Sequence, residues 1–121
     1  MKYTADHQWL RSESDGSVTI GITHHAQDAL GDLVFVELPP VGQHFAKDAV
    51  ICTIESVKAA GEVRMPVAGT VIAANAALAD APEMANEDPE GAGWFIKATP
   101  DDPTAADSLL DEASYKALLG E

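Results

Sequence analysis

Among the side chains able to do chemistry, one lysine stands apart. The chain has five lysines, and Lys58 lies in Glu55-Ser56-Val57-Lys58-Ala59 between two short apolar runs. Val50-Ile51-Cys52-Thr53-Ile54 leads in; after Ala60-Gly61, Val63 and Met65 restore an alternating pattern that stops at Pro66. Two strands joined by a tight connection would put Lys58 near the tip. There its flexible stem carries a nucleophilic amine away from the body, which suits covalent modification. A lysine in an ordinary turn is a solvated charge with no further role, so local sequence leaves both readings open.

The remaining reactive groups form no constellation. His24 and His25 are adjacent, and neighbours on a helix point in different directions rather than at one metal. His7 and His44 stand at no metal-ligand spacing from them. Cys52 is the one cysteine, which excludes an intramolecular disulfide. Its place in an apolar run makes it a core thiol, without an identifiable base to activate it. No glycine-rich phosphate loop is present, and the many carboxylates read as solvated faces. The expectation is a chain with no catalytic residues and no metal site.

Charge narrows the partners. Twenty acidic residues against seven basic give a formal net charge of −13. That sign repels phosphate backbones and anionic bilayers, so neither nucleic acid nor a membrane surface is expected as a partner. It suits a mobile protein that visits several partners and leaves quickly, with docking to basic sites weakened by salt. The length of 121 residues fits one domain over 1–121 with a modest core. No apolar run reaches the roughly 18 residues of a membrane span. Met1-Lys2-Tyr3-Thr4 carries neither signal-peptide nor transit-peptide character, so the expected location is the cytoplasm.

The elements that must hold Lys58 are mostly strands. Val18, Ile20 and Ile22 alternate with Thr19 and Gly21, the period of a half-buried strand. Ser14-Asp15-Gly16-Ser17 is a hairpin turn that places Trp9 and Leu10 on the partnering strand. Residues 23–30 drop the alternation and predict one or two helical turns, with Thr23 as N-cap and Gly31 as the stop. Residues 33–38 predict a strand ended by Pro39-Pro40. Residues 69–72 and 94–98 predict further strands, and the Ala-rich stretch 75–86 a short helical turn around 82–85. Leu109, Leu110, Ala113, Ala117 and Leu118 recur at helical spacing, predicting a C-terminal helix over about 104–119 with Thr104 and Asp107 as a capping pair. Many short strands broken by turns imply a β sandwich or barrel.

Segment 3–119 resembles the H proteins of the glycine cleavage system. The residues that carry the likeness are His7-x-Trp9, Val18-Thr19-Ile20-Gly21-Ile22-Thr23-x-His25-Ala26-Gln27, Leu30-Gly31-Asp32 and Phe35-Val36-Glu37-Leu38-Pro39. Glu55-Ser56-Val57-Lys58-Ala59, Pro66-Val67-x-Gly69, Asn86-Glu87-Asp88-Pro89 and Gly93-Trp94 complete the set, in the family's order and near its spacing. The resemblance implies a mainly β barrel-sandwich hybrid of the lipoyl/biotinyl-domain type, with short helices and a C-terminal helix. It implies lipoate in amide linkage on Lys58, with Glu55 and Ser56 read by a lipoyl-attaching enzyme and Val57 and Ala59 keeping the tip compact. Biotin carriers usually flank their lysine with methionines; Val57 and Ala59 favour lipoate.

The same resemblance implies a non-enzymatic carrier for glycine catabolism and one-carbon metabolism. It would take the aminomethyl group of glycine from the pyridoxal-phosphate glycine decarboxylase (P protein) to the tetrahydrofolate-dependent aminomethyltransferase (T protein), and be reoxidised by dihydrolipoyl dehydrogenase (L protein). A monomer serves a shuttle best. A cleft for the loaded arm is implied near the N-terminal segment and first helix, with Asp6, Gln8, His25 and Glu62 as candidates. Glu is commoner than Gln8 before the tryptophan, which removes one ion pair from that cleft. Two alternatives stay open: a lipoate relay or lipoyl carrier for another complex, and an unmodified acidic interaction module.

Overall fold

Nine strands in two antiparallel sheets form the body of the protein, and the structure, a computed structural model, describes residues 1–120. In chain order the elements are β1 (Lys2–Tyr3), β2 (Gln8–Ser12), β3 (Val18–Ile22), α1 (His24–Leu30), β4 (Leu33–Glu37), β5 (His44–Phe45), β6 (Val50–Ser56) and β7 (Ala60–Arg64). They continue with β8 (Gly69–Ala74), α2 (Ala77–Asp80), α3 (Met84–Glu87), β9 (Ile96–Pro100), a 3-10 turn (Ala105–Ser108) and α4 (Glu112–Leu118). One sheet runs β1-β2-β3-β9-β8-β5 and the other β4-β6-β7. This is the expected barrel-sandwich hybrid, with short helices and a helix near the C-terminus.

Local chemistry explains how β2 and β3 pair. Asp15 accepts from the Ser17 amide at 2.9 Å and from its hydroxyl at 2.6 Å, and Gly16 takes φ +90°, so the β2–β3 turn closes tightly. The register then sets Trp9 opposite Gly21. A Cβ at residue 21 would fall 2.7 Å from the indole, so only glycine lets Trp9 lie flat on β3. Trp9 is fully buried and donates its indole N–H to the Pro89 carbonyl at 2.9 Å. Between the sheets, Leu10, Ile20, Ile54, Val63, Val71 and Phe95 form a dry core. Cys52 lies in it at 1 % exposure, and desolvation pushes its thiol up to about 12.

The tail departs from the expectation of one continuous helix. After the 3-10 turn, Leu110 pairs in extended form with Tyr3, exchanging backbone bonds of 2.8 and 2.9 Å. Backbone committed to β1 cannot be helical, so α4 starts only at Glu112. Its cap is Asp111, which accepts from the Ser114 amide at 2.7 Å. Thr104 caps nothing; its hydroxyl donates to Asp102 instead, at 2.8 Å. The last strand of the large sheet also starts later than predicted. β9 begins at Ile96, and the Trp94 backbone carbonyl before it is held by the Asn75 side chain at 2.8 Å.

Candidate functional site

The β6–β7 hairpin is paired from Val50↔Arg64 to Glu55↔Ala60 and presents Val57, Lys58 and Ala59 at its tip. Ser56 ties the turn. Its amide donates to the Ala59 carbonyl at 2.7 Å, while its hydroxyl accepts from the amides of Lys58 and Ala59 at 3.2 and 3.0 Å and donates to the Ala59 carbonyl at 3.1 Å. The tip is latched to the body by Val57, whose amide donates to the Asp32 carbonyl at 3.0 Å. Val57 itself is 67 % exposed, so its backbone, not its side chain, keeps the tip in place.

Lys58 is exposed, and its stem crosses the end of α1. Its ammonium donates to the Ala29 carbonyl at 3.5 Å, a long bond to one of the carbonyls left open at a helix C-terminus. The negative end of the helix favours a cation there. Beneath the stem lies Gly31, at φ +77° and ψ −164°, a region open almost only to glycine. A Cβ at this position would stand 2.9 Å from Lys58 Cε. Gly31 is therefore required by the turn, while the exposed, flexible Lys58 stem resting on it can swing aside.

Asn86 on α3 fixes that turn. Its amide nitrogen donates to the Gly31 carbonyl at 2.8 Å and to Gln27 Oε1 at 3.1 Å, and its oxygen accepts from the Leu33 amide at 2.9 Å. One side chain thus joins the end of α1 to the start of β4, under Lys58. The sequence alone gives Asn86 no partner. The one visible signal was its presence in a recognisable block, because its partners lie more than 50 residues away in the chain.

The other end of α1 is also clamped. Thr23 caps the helix by accepting from the Ala26 amide at 3.2 Å, and its hydroxyl meets the Tyr115 hydroxyl at 2.8 Å. Tyr115 Oη in turn lies 2.8 Å from His7 Nδ1. His7 adopts φ +64°, and its ring packs against that of His25 at 4.4 Å, tilted by 39°. Burial and the neighbouring His25 hold His7 below its ordinary value, with Asp6 opposing.

The four residues expected around an arm cleft are not brought into one open hollow. His25 lines a cleft of about 370 Å³ with Thr23, Glu90, Glu112 and Tyr115, whereas exposed Asp6 lines a hollow of about 330 Å³ with Pro66 and Leu109. Gln8 is only 2 % exposed. Its amide nitrogen donates to the Arg64 carbonyl, and its oxygen accepts from the Arg64 amide at 2.8 Å. Gln8 therefore finishes the free edge of β7 like one added strand residue, and is consumed by backbone rather than facing a ligand. Glu62 is exposed on β7, 3.8 Å from Arg64 Nη2.

The outer face of the three-stranded sheet was not foreseen. Directly opposed residues share a face, so Phe35, Glu55 and Ala60 form one outward row and Glu37, Thr53 and Glu62 the next. Val36, Ile54 and Gly61 make the inward row between them. A bulge between Leu33 and Phe35 turns both Val34 and Phe35 outward, at 55 % and 47 % exposure. Among the described residues, no group of three or more His, Cys, Asp or Glu could hold a metal ion. No helix among them is long and apolar enough to cross a membrane.

Comparison with known proteins agrees across the full length. The profile of the glycine cleavage H-protein family matches residues 1–121. The glycine cleavage system H protein of Neisseria meningitidis serogroup C (strain 053442) is 55 % identical over 115 residues, covering 95 % of this chain and 90 % of its own. Glycine cleavage system H protein 1 of Pseudomonas aeruginosa is 51 % identical over 119 residues, covering 98 % and 93 %. The crystal structure of a glycine cleavage system H protein from Mycobacterium marinum superposes with a TM-score of 0.89 at 38 % identity, covering 99 % of this chain and 96 % of that one. With a rigid hairpin presenting one exposed lysine in this fold, the chain belongs to the glycine cleavage H-protein family.

Proposed function

We propose that the protein is the lipoylated carrier of a glycine cleavage system, with lipoate joined through an amide to Lys58. It would receive the aminomethyl group of glycine at the P protein, deliver it to the T protein and be reoxidised by the L protein, in the cytoplasm and as a monomer. The observation that carries this reading is Lys58 itself, exposed at the tip of a hairpin braced by Ser56 and Asp32 in a chain of this family.

The site fits the group. Lys58 makes no ion pair among the described residues, and its amine has one long contact, to Ala29 at 3.5 Å. Acylation therefore has little to break. Bound lipoate supplies a dithiolane whose sulfurs are reduced on accepting the aminomethyl group and reoxidised after it leaves. The chain's own part is to hold the attachment point still while the tether raises the local concentration of cargo at each partner. Burial of Cys52 keeps a competing thiol away from that chemistry.

Intact mass and peptide mapping of protein from its native cell test the reading, with one lipoyl increment expected on Lys58. Lys58→Arg keeps charge and approximate length but cannot form the amide, so glycine-dependent carbon dioxide exchange with P protein should vanish while the circular dichroism spectrum is unchanged. An unmodified Lys58 in cells that lipoylate other proteins would point instead to an interaction module.

A further inference from the structure

The outer face of the three-stranded sheet carries an exposed aromatic side chain surrounded by carboxylates, directly beside the lysine hairpin. Phe35 is 47 % exposed and sits opposite Glu55, two residues before Val57 of the hairpin tip, itself 67 % exposed. Glu37 and Glu62 occupy the neighbouring outward row. Of the three carboxylates, only Glu62 has a cation within 4 Å among the described residues, and that lies 3.8 Å away. A half-exposed phenylalanine on a strand loses contact with water only when something covers it, and its rim of negative charge selects a basic cover.

Resting on the lipoyl-carrier reading, we infer that this face is the docking surface for the enzyme that acylates Lys58, and that Phe35 is its apolar anchor. The chemistry of attachment requires such contact. The Lys58 amine attacks the acyl carbon of lipoyl adenylate; an amide C–N bond forms, the C–O bond to phosphate breaks, AMP leaves with the electron pair, and the amine's proton passes to solvent. For that attack the acyl carbon must reach the end of a short stem, so the enzyme must cover the flanks of the hairpin. Enzymes that act at the far end of a finished arm have no such need. The partner surface is therefore an apolar pocket rimmed by Lys or Arg, placed next to the acyl adenylate.

The test is steady-state lipoyl transfer by an ATP-dependent lipoate–protein ligase onto the full-length unmodified protein. Phe35→Ser should raise the KM for the protein about tenfold with little change in kcat, as expected when an interface anchor is lost. Glu37→Lys, remote from the hairpin tip, should raise KM and flatten its rise between about 50 and 300 mM salt. Ile72→Ser, on the exposed face of β8 in the other sheet, is the control and should match wild type. Unchanged KM in both Phe35→Ser and Glu37→Lys would overturn the docking assignment, as would a loss confined to kcat or a Phe35-dependent dimer in sedimentation. Failure of wild type to be lipoylated would instead overturn the carrier reading.

Discussion

Gln8 illustrates how one atom can settle a side chain's role. A glutamate at this position could accept from the Arg64 amide but could not donate to the Arg64 carbonyl, whereas Gln8 does both. At neutral pH, Gln8→Glu leaves a carboxylate against that carbonyl and should cost about 1–3 kcal/mol of stability. A protonated glutamate regains the donor, so the deficit should narrow as the pH is lowered; urea denaturation at neutral and acid pH reads both effects. Gly31 is the second such residue. Gly31→Ala must bear a conformation that costs about 1–3 kcal/mol, whereas the exposed Lys58 stem that its methyl meets can swing aside. Reduced thermal stability with acylation of Lys58 close to the wild-type rate is the expected result, and unchanged stability would show that the turn tolerates a side chain there.

At the scale of elements, α1 is a short shelf held at both ends. Its seven residues are too few to be helical alone, so the caps and clamps decide its position. Asn86→Ala should expose the Leu33 amide to hydrogen exchange and lower stability by about 1–3 kcal/mol, through loss of bonds to half-buried backbone. Protection of Leu33 equal to wild type would show that the turn holds itself. The N-terminal clamp responds to acid. The folded state holds His7 below its ordinary 6.5, so the unfolded chain binds more protons in the window between the two values. His7 costs nothing above 6.5, and stability declines as pH falls from there through the lower folded value. His7→Asn tolerates the positive φ and offers an oxygen to Tyr115, so it should flatten this part of the pH profile in thermal melts.

Local order was readable and distant partnership was not. Thr23, the Asp15-Gly16 turn and Gly31 act on chain within a few residues of themselves, and each stands where its type alone places it. Leu109 and Leu110 have helical spacing too, but spacing cannot reveal that Leu110 is claimed by a strand at the other end of the chain. Gln8 and Asn86 failed the same way: each has its partners more than 50 residues off, as Gln8–Arg64 and Asn86–Gly31. Lys58 was legible as a candidate because its hairpin is local. The carboxylate rim of Phe35 was not, because it arises only when β4, β6 and β7 lie side by side.

Across the whole molecule, the formal charge of −13 belongs to a body whose two sheets enclose the larger of two apolar clusters. Proteins of this sign approach basic partners faster than neutral ones and lose that advantage as salt rises. The interior bears on the proposed chemistry in another way. A carrier that cycles a dithiol risks cross-linking to any thiolate of its own, since exchange runs through the thiolate. Cys52, at 1 % exposure and with its thiol pushed up to about 12, offers essentially no thiolate near neutral pH. Alkylating reagents added to the folded, lipoylated protein should therefore label the arm alone, which makes iodoacetamide uptake a direct titration of its redox state.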